Sequence, residues 1–499
     1  MGCADNLVPD GGSWGEAAGS CLCGRIGVGG LSAQDTLQVL WPKRFRLCVE
    51  PPLARITGGL MLTRTIHILR PILCLALLSL GACVAPTPAF RAPPPVPVGL
   101  RLVHKDLVPF PQKDVPVEYA ALAGPGDELW LFAGAHGLAG GPQAAHRVEG
   151  RWGSWEPLAE PRWRSAAGLA VEPDADGRPV VIWPGRHHPT ELTGQSLAET
   201  VATAQPDLEL LSVHWTGEAW SSPVAIDRWR GFSGFGHVLS LRDTHNRIHV
   251  AYHQPLDPPE HYAVGFLVVD GVSPGKCAHV VFDGQNWSKP VFTTGRERFD
   301  LRPLTLSEGP AGLVLACEVY DFWGLFPATH LGYQVFDGRS WRGLTRVVSD
   351  ARLSTSVTAD FWGNRLVTYG TWTPRNNRHG DPATMYLEGA IGIRRTPPPE
   401  AACESPLVTT DAAGRIALLS PTGQGQASLR VWNGAEWSPA LAGLPGGPWV
   451  SFGRSHSADR LLILDREGEG LATYEIAVEQ LSLEHAASGP NGDSDRLGQ

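Results

Sequence analysis

A short turn motif recurs along the chain and limits what it can fold into more than any other feature. An apolar or aromatic pair is followed by a small polar residue and then Gly-x-x-Trp. It occurs at His214 to Trp220, with Gly217 at its centre, and at Val281 to Trp287, with Asp283-Gly284. It returns at Val335 to Trp341, with Asp337-Gly338, and at Val431 to Trp437, with Asn433-Gly434; a looser copy runs from Val148 to Trp155. Asp-Gly and Asn-Gly supply the positive φ of a tight hairpin turn, and the flanking Val, Phe and Trp are strand formers. Repeats at this spacing mean one supersecondary unit used several times.

A second kind of hairpin precedes each of these. It turns at Asp174-Ala175-Asp176-Gly177, at Asp243 to Asn246, at Asp360 to Gly363 and at Asp411 to Gly414. Apolar runs flank each turn, and further copies start near Val117, Pro303 and Val450. Seven first hairpins, most followed by a second, make a unit of four antiparallel strands. The span from Leu100 to Gln480 allows about 54 residues per unit, the size of a propeller blade with its loops. The expected fold is all-β: a β-propeller of four-stranded antiparallel blades, seven rather than six. A β-sandwich would not repeat the two-hairpin unit, and no helical periodicity supports a bundle or an α/β fold.

Three of the Trp turns continue as Trp220-Ser221-Ser222-Pro223, Trp287-Ser288-Lys289-Pro290 and Trp437-Ser438-Pro439. In this the region 100–480 resembles the sialidase-like, Asp-box propellers, although no segment matches the full Ser-x-Asp-x-Gly-x-Thr-Trp box. Propeller lectins use similar turns. The resemblance implies the architecture. For a sialidase-like glycoside hydrolase it would further imply an arginine cluster on the substrate carboxylate and a Tyr nucleophile with a Glu partner. Glu318 and Tyr320 lie on one strand at the spacing of a shared face.

Ahead of the repeats, Met61 to Arg70 is basic, Pro71 to Leu80 is apolar, and Leu80-Gly81-Ala82-Cys83 resembles the lipobox of bacterial lipoproteins. The expected organisation is an upstream extension with a misassigned start (1–60), a lipoprotein signal peptide (61–82), a Pro-rich tether (83–99), the propeller (100–480) and a polar tail (481–499). Cys83 is the expected lipidation site, and Val84 after it favours the outer membrane or cell surface. The body then holds Cys277, Cys317 and Cys403, an odd number that argues against a disulfide framework, with at most one pair. A net charge of −9 argues against a nucleic-acid partner.

If the tight turns share one face, the longer loops share the other, where propellers commonly place sites. Those loops carry Arg164, Arg230, Arg302 and Arg352 near the blade entries, and His188, His253, Trp323 and Arg375 between hairpins. Guanidinium forks bind carboxylates and aromatic faces stack on sugar rings, so this set suits a glycan or an anionic ligand. His249 and His253 share a strand face, but such histidines are more often satisfied core residues, and neither a metal nor a cofactor is expected. The reading is a monomeric, lipid-anchored envelope propeller that binds or scaffolds a glycan, an anionic ligand or an envelope protein. Whether it is an enzyme stays open, with a sialidase-like glycoside hydrolase as the alternative.

Overall fold

The computed structural model describes residues 92–481 except 111–117, 135–139, 162, 166–167, 188–206, 231–237, 256–262, 265–266, 269–274, 294–298, 322–327, 350, 372–382, 390–397, 400–401 and 404. The assignments made for 1–60, 61–82, Cys83 and the rest of the tether up to Arg91, and for the tail from Ser482, lie outside them.

Seven sheets of four to six strands, antiparallel except for one short parallel pairing in the first, form the blades of a propeller. The first strands of the blades are Glu118–Ala123, Ala170–Pro173, Val238–Arg242, Phe299–Gly309, Ala351–Ala359, Leu407–Thr410 and Ser451–Phe452. Residues from all seven line one axial channel, which makes these the innermost strands. In the seventh blade the outermost strand comes from the other end of the chain. Val98–Pro109 pairs with Gly470–Gln480, from Val98 opposite Gln480 to Pro109 opposite Gly470. This pairing closes the ring by tying its ends together. Among the described residues no helix is long and apolar enough to cross a membrane.

The two turn types repeat because their side chains repeat. In the first hairpins, Oδ1 of Asp174, Asp243, Asp360 and Asp411 each accepts the amides two and four residues on, at 2.7–2.9 Å. In the second, Oδ1 of Asp283, Asp337 and Asn433 accepts the amides two and three residues on. The serine after the Trp locks the turn from outside: Oγ of Ser221, Ser288 and Ser438 accepts the amides of His214, Val281 and Val431 at 2.9–3.0 Å. Such local bonds satisfy backbone groups that a sheet end would otherwise leave open.

Seven buried apolar clusters fill the gaps between neighbouring blades. The turn tryptophans sit in these gaps and face the preceding blade. Trp220 of the second blade meets Trp130 and Phe132 of the first at 5.4 and 6.2 Å. Trp287 donates its indole N–H to Ser212 at 3.0 Å, and Trp341 meets His279 at 5.2 Å. Burial is uneven: Trp341 is 3% exposed, whereas Trp220, Trp287 and Trp437 are half-buried. Cys277 and Cys317, on adjacent blades, are buried free thiols with their sulfurs 4.0 Å apart.

Candidate functional site

The described cavity that best suits a ligand opens where the channel meets the tight-turn face. It holds about 450 Å³ and is walled by the first-hairpin turns of several blades. Its position follows from a break in the seventh blade. After Ser451–Phe452 the chain leaves its own sheet, and Arg454–Ser455 pairs in parallel with Leu122–Ala123 of the first blade. Gly453 is the pivot. A Cβ there would lie 2.9 Å from Leu462 Cβ and 3.1 Å from the Ala121 carbonyl oxygen, so only glycine allows the approach. The crossing carries Arg454 over the axis and His456 onto the wall.

Arg454 ties four blades together and lines both the cavity and the channel below it. Its Nε donates to Glu172 at 2.9 Å, its Nη2 to the Ser240 carbonyl at 2.6 Å and its Nη1 to Thr409 at 3.4 Å. Glu172, buried at the second blade, also accepts from Ser240 Oγ at 2.8 Å. Nearby, Arg415 is paired with Asp411 at 2.7 Å and Arg460 with Glu475 at 2.6 Å. Burial holds the Asp411 carboxyl above its ordinary range even against Arg415.

Arg242 is different. Its Nη1 points at His456 Nδ1, 3.0 Å away, and its Nη2 at Asn246. An arginine does not give up its proton, so His456 Nδ1 is the acceptor and that ring is neutral. Burial, and then the Arg242 charge, hold His456 below its usual range. Among the described residues no carboxylate lies within ion-pairing distance of Arg242, and its buried Nε–H has no hydrogen-bond partner. Burial accordingly pulls the guanidinium below the usual arginine range, while Glu172, Asp174 and Asp243 act on it only from a distance.

Behind the wall runs a polar chain. Asp243 Oδ2 accepts from Arg247 at 2.6 Å and from His249 Nε2 at 2.9 Å, and His249 Nδ1 lies 3.0 Å from His279 Nε2. Burial alone would raise Asp243, but the bonds from His249 and Arg247 outweigh it and hold the carboxyl well below its ordinary range. His279 is pushed down to about 3, by burial first and then by the charges of His249 and Arg247. His249 is thus held by Asp243 and His279 rather than facing a ligand with His253. Asp243, His245 and Glu308 place ligand atoms within 4.8 Å of one another. The Asp243 oxygen that bonds Arg247 and His249 is already committed, which argues against a cation there.

Of the residues singled out from sequence, His188, Trp323 and Arg375 lie outside the described residues. Arg164 lies on the short strand Trp163–Ser165, opposite Arg186, Arg352 on the first strand of the fifth blade, opposite Gly370, and Arg230 ends the outermost strand of the second blade opposite Asp207; their side chains are not among those described. Arg302 is half-buried on the first strand of the fourth blade, opposite Glu318, and has an interaction partner. His253 is buried and also partnered. Arg228, from the same arginine-rich stretch as Arg230, pairs with Glu209. The residues of the tight-turn cavity were not recognised as a site. Asp243 and Asp411 were legible as turn residues, but nothing local marks Arg242, Arg454 and His456 as neighbours across the axis.

No family model and no curated protein matches the sequence. Among solved structures the chain is similar to a polysaccharide lyase, the PL25 ulvan lyase, at 11% identity and a TM-score of 0.42, covering 80% of this chain and 98% of that one. It is also similar to a Trypanosoma rangeli sialidase at 12% identity and a TM-score of 0.36, covering 65% and 55%. A third is the Aleuria aurantia lectin, at 14% identity and a TM-score of 0.31, covering 66% and 96%. These are likenesses of architecture, and no residue role is carried over from them.

Proposed function

We propose that the protein is a binding module whose ligand sits in the tight-turn cavity on the propeller axis and carries a carboxylate, as an acidic saccharide or a small organic acid does. One observation carries this reading: among the described residues, Arg242 brings to the cavity an arginine with no ion-pairing carboxylate and a buried Nε–H without a partner, while Arg454 and Arg460 are ion-paired. A guanidinium in that state gains most from a bidentate anionic ligand. The rigid seven-blade frame fixes the donors before the ligand arrives, which lowers the entropy lost on binding.

The test is calorimetric titration of the purified protein with glucuronate and with glucose. The acid should bind and the neutral sugar should not, and Arg242→Gln should abolish the difference. Equal binding of both sugars, or binding of neither, overturns the reading.

The module is further proposed to be held at the envelope by lipid on Cys83. The described N-terminal residues lie on the tight-turn face, where Trp362 donates to the Pro93 carbonyl at 2.7 Å and Asn433 to that of Val96 at 2.9 Å. The support for the anchor itself is the sequence from Met61 to Cys83. Fatty-acid labelling should disappear in Cys83→Ser; labelling that persists refutes it.

A further inference from the structure

The cavity wall holds a second charge without a counterion. Glu308, at the end of the first strand of the fourth blade, accepts from Thr244 Oγ1 at 2.8 Å and from the Thr244 amide at 2.9 Å. No Lys or Arg pairs with it among the described residues; its titratable neighbours are Asp243 and His245. Burial holds the carboxyl above its ordinary range, and the two bonds from Thr244 only partly offset that. Every other acid or arginine of the wall is matched. Glu172 has Arg454, Asp243 has Arg247, Asp411 has Arg415, and Arg460 has Glu475.

The wall is therefore near neutral in sum, yet it presents one cation and one anion that have no oppositely charged partner among the described residues. The two flank the same short turn, Arg242 before it and Glu308 bonded to Thr244 within it. A ligand with only a carboxylate satisfies Arg242 and adds a negative charge beside Glu308. A ligand with only an ammonium does the reverse. Like charges brought together in a desolvated pocket are unfavourable, and opposite charges on both ends favour binding.

We infer that the natural ligand is a zwitterion, with its carboxylate on Arg242 and its ammonium on Glu308. This rests on the assignment of the cavity as the ligand seat. About 450 Å³ exceeds a single small amino acid and accommodates a short peptide with free ends or an amino-sugar acid. Both sources share the chemistry of a carboxylate and an ammonium on one small polar body. Thr244, Asn246, Thr409 and Thr410 supply hydroxyl and amide groups for its middle.

The first measurement is made on the unaltered protein, so its outcome does not depend on how a variant folds. The purified full chain is titrated with glycylglycine, N-acetylglycylglycine and glycylglycinamide, and separately with muramic acid and N-acetylmuramic acid. In at least one series the zwitterion should bind about tenfold more tightly than each singly charged form in that series. The series that shows the preference identifies the source. Glu308→Gln should then erase the preference over the N-acetyl form, weakening the zwitterion while the N-acetyl form, relieved of the like charge, binds at least as tightly as before. If the N-acetyl forms bind as well as the zwitterions, the zwitterion inference fails and the carboxylate reading stands. If no probe binds, or if Arg242→Gln leaves carboxylate binding intact, both fail.

Discussion

Arg454 offers the most direct test of how the blades are tied together at the axis. Arg454→Met keeps much of the side-chain length and removes the guanidinium. Three contacts go with it, to Glu172, the Ser240 carbonyl and Thr409. The dominant loss is at Glu172, whose side chain is 4% exposed and would keep only the Ser240 hydroxyl as a donor. Stripping the partner from a buried ion typically costs about 3–5 kcal/mol. Arg454 is itself 28% exposed, so water screens part of the pair and the low end, about 3 kcal/mol, is expected. Urea denaturation followed by tryptophan fluorescence measures it. The double variant Glu172→Gln with Arg454→Met should be more stable than Arg454→Met alone by about 1.5 kcal/mol, because the orphaned charge is gone. A loss below about 1 kcal/mol in the single variant, or a double variant as unstable as the two singles summed, would refute the role given to the pair.

The turn tryptophans should separate by burial: Trp341→Ala, at 3% exposed, should cost about 3–5 kcal/mol, and the half-buried Trp220, Trp287 and Trp437 clearly less, in the same denaturation assay. Stability should fall with acid through His279: its folded pKa of about 3 lies below an unfolded value near 6.5, so the unfolded chain takes up the proton first. The contribution is full above about pH 6.5 and is lost towards pH 3 at up to about 1.4 kcal/mol per pH unit, and unfolding midpoints of His279→Asn against pH should show a shallower decline. Cys277 and Cys317, both fully buried, should resist iodoacetamide in the native protein and react in denaturant, as mass spectrometry of the alkylated peptides would show.

What the sequence determined by itself is the repeat. A tight turn is a local object: Asp411 reaches its own Ala413 and Arg415 amides, and Ser438 reaches back to Val431, whatever the rest of the chain does. Those residues therefore announced the hairpins, and seven first hairpins at blade spacing, most followed by a second, announced the propeller. The tertiary structure decided what depends on closing the ring. Arg454 and Ser240 are 214 residues apart, as are Arg242 and His456, and each pair meets only because the seventh blade returns to the axis. The side on which the turn tryptophans pack, the N-terminal strand that completes the last blade, and the departure at Gly453 are likewise set by blade-to-blade packing. A charge that reads as an ordinary surface arginine in sequence, Arg242, becomes the informative group of the cavity because partial burial strips some of its water and no carboxylate among the described residues pairs with it in exchange.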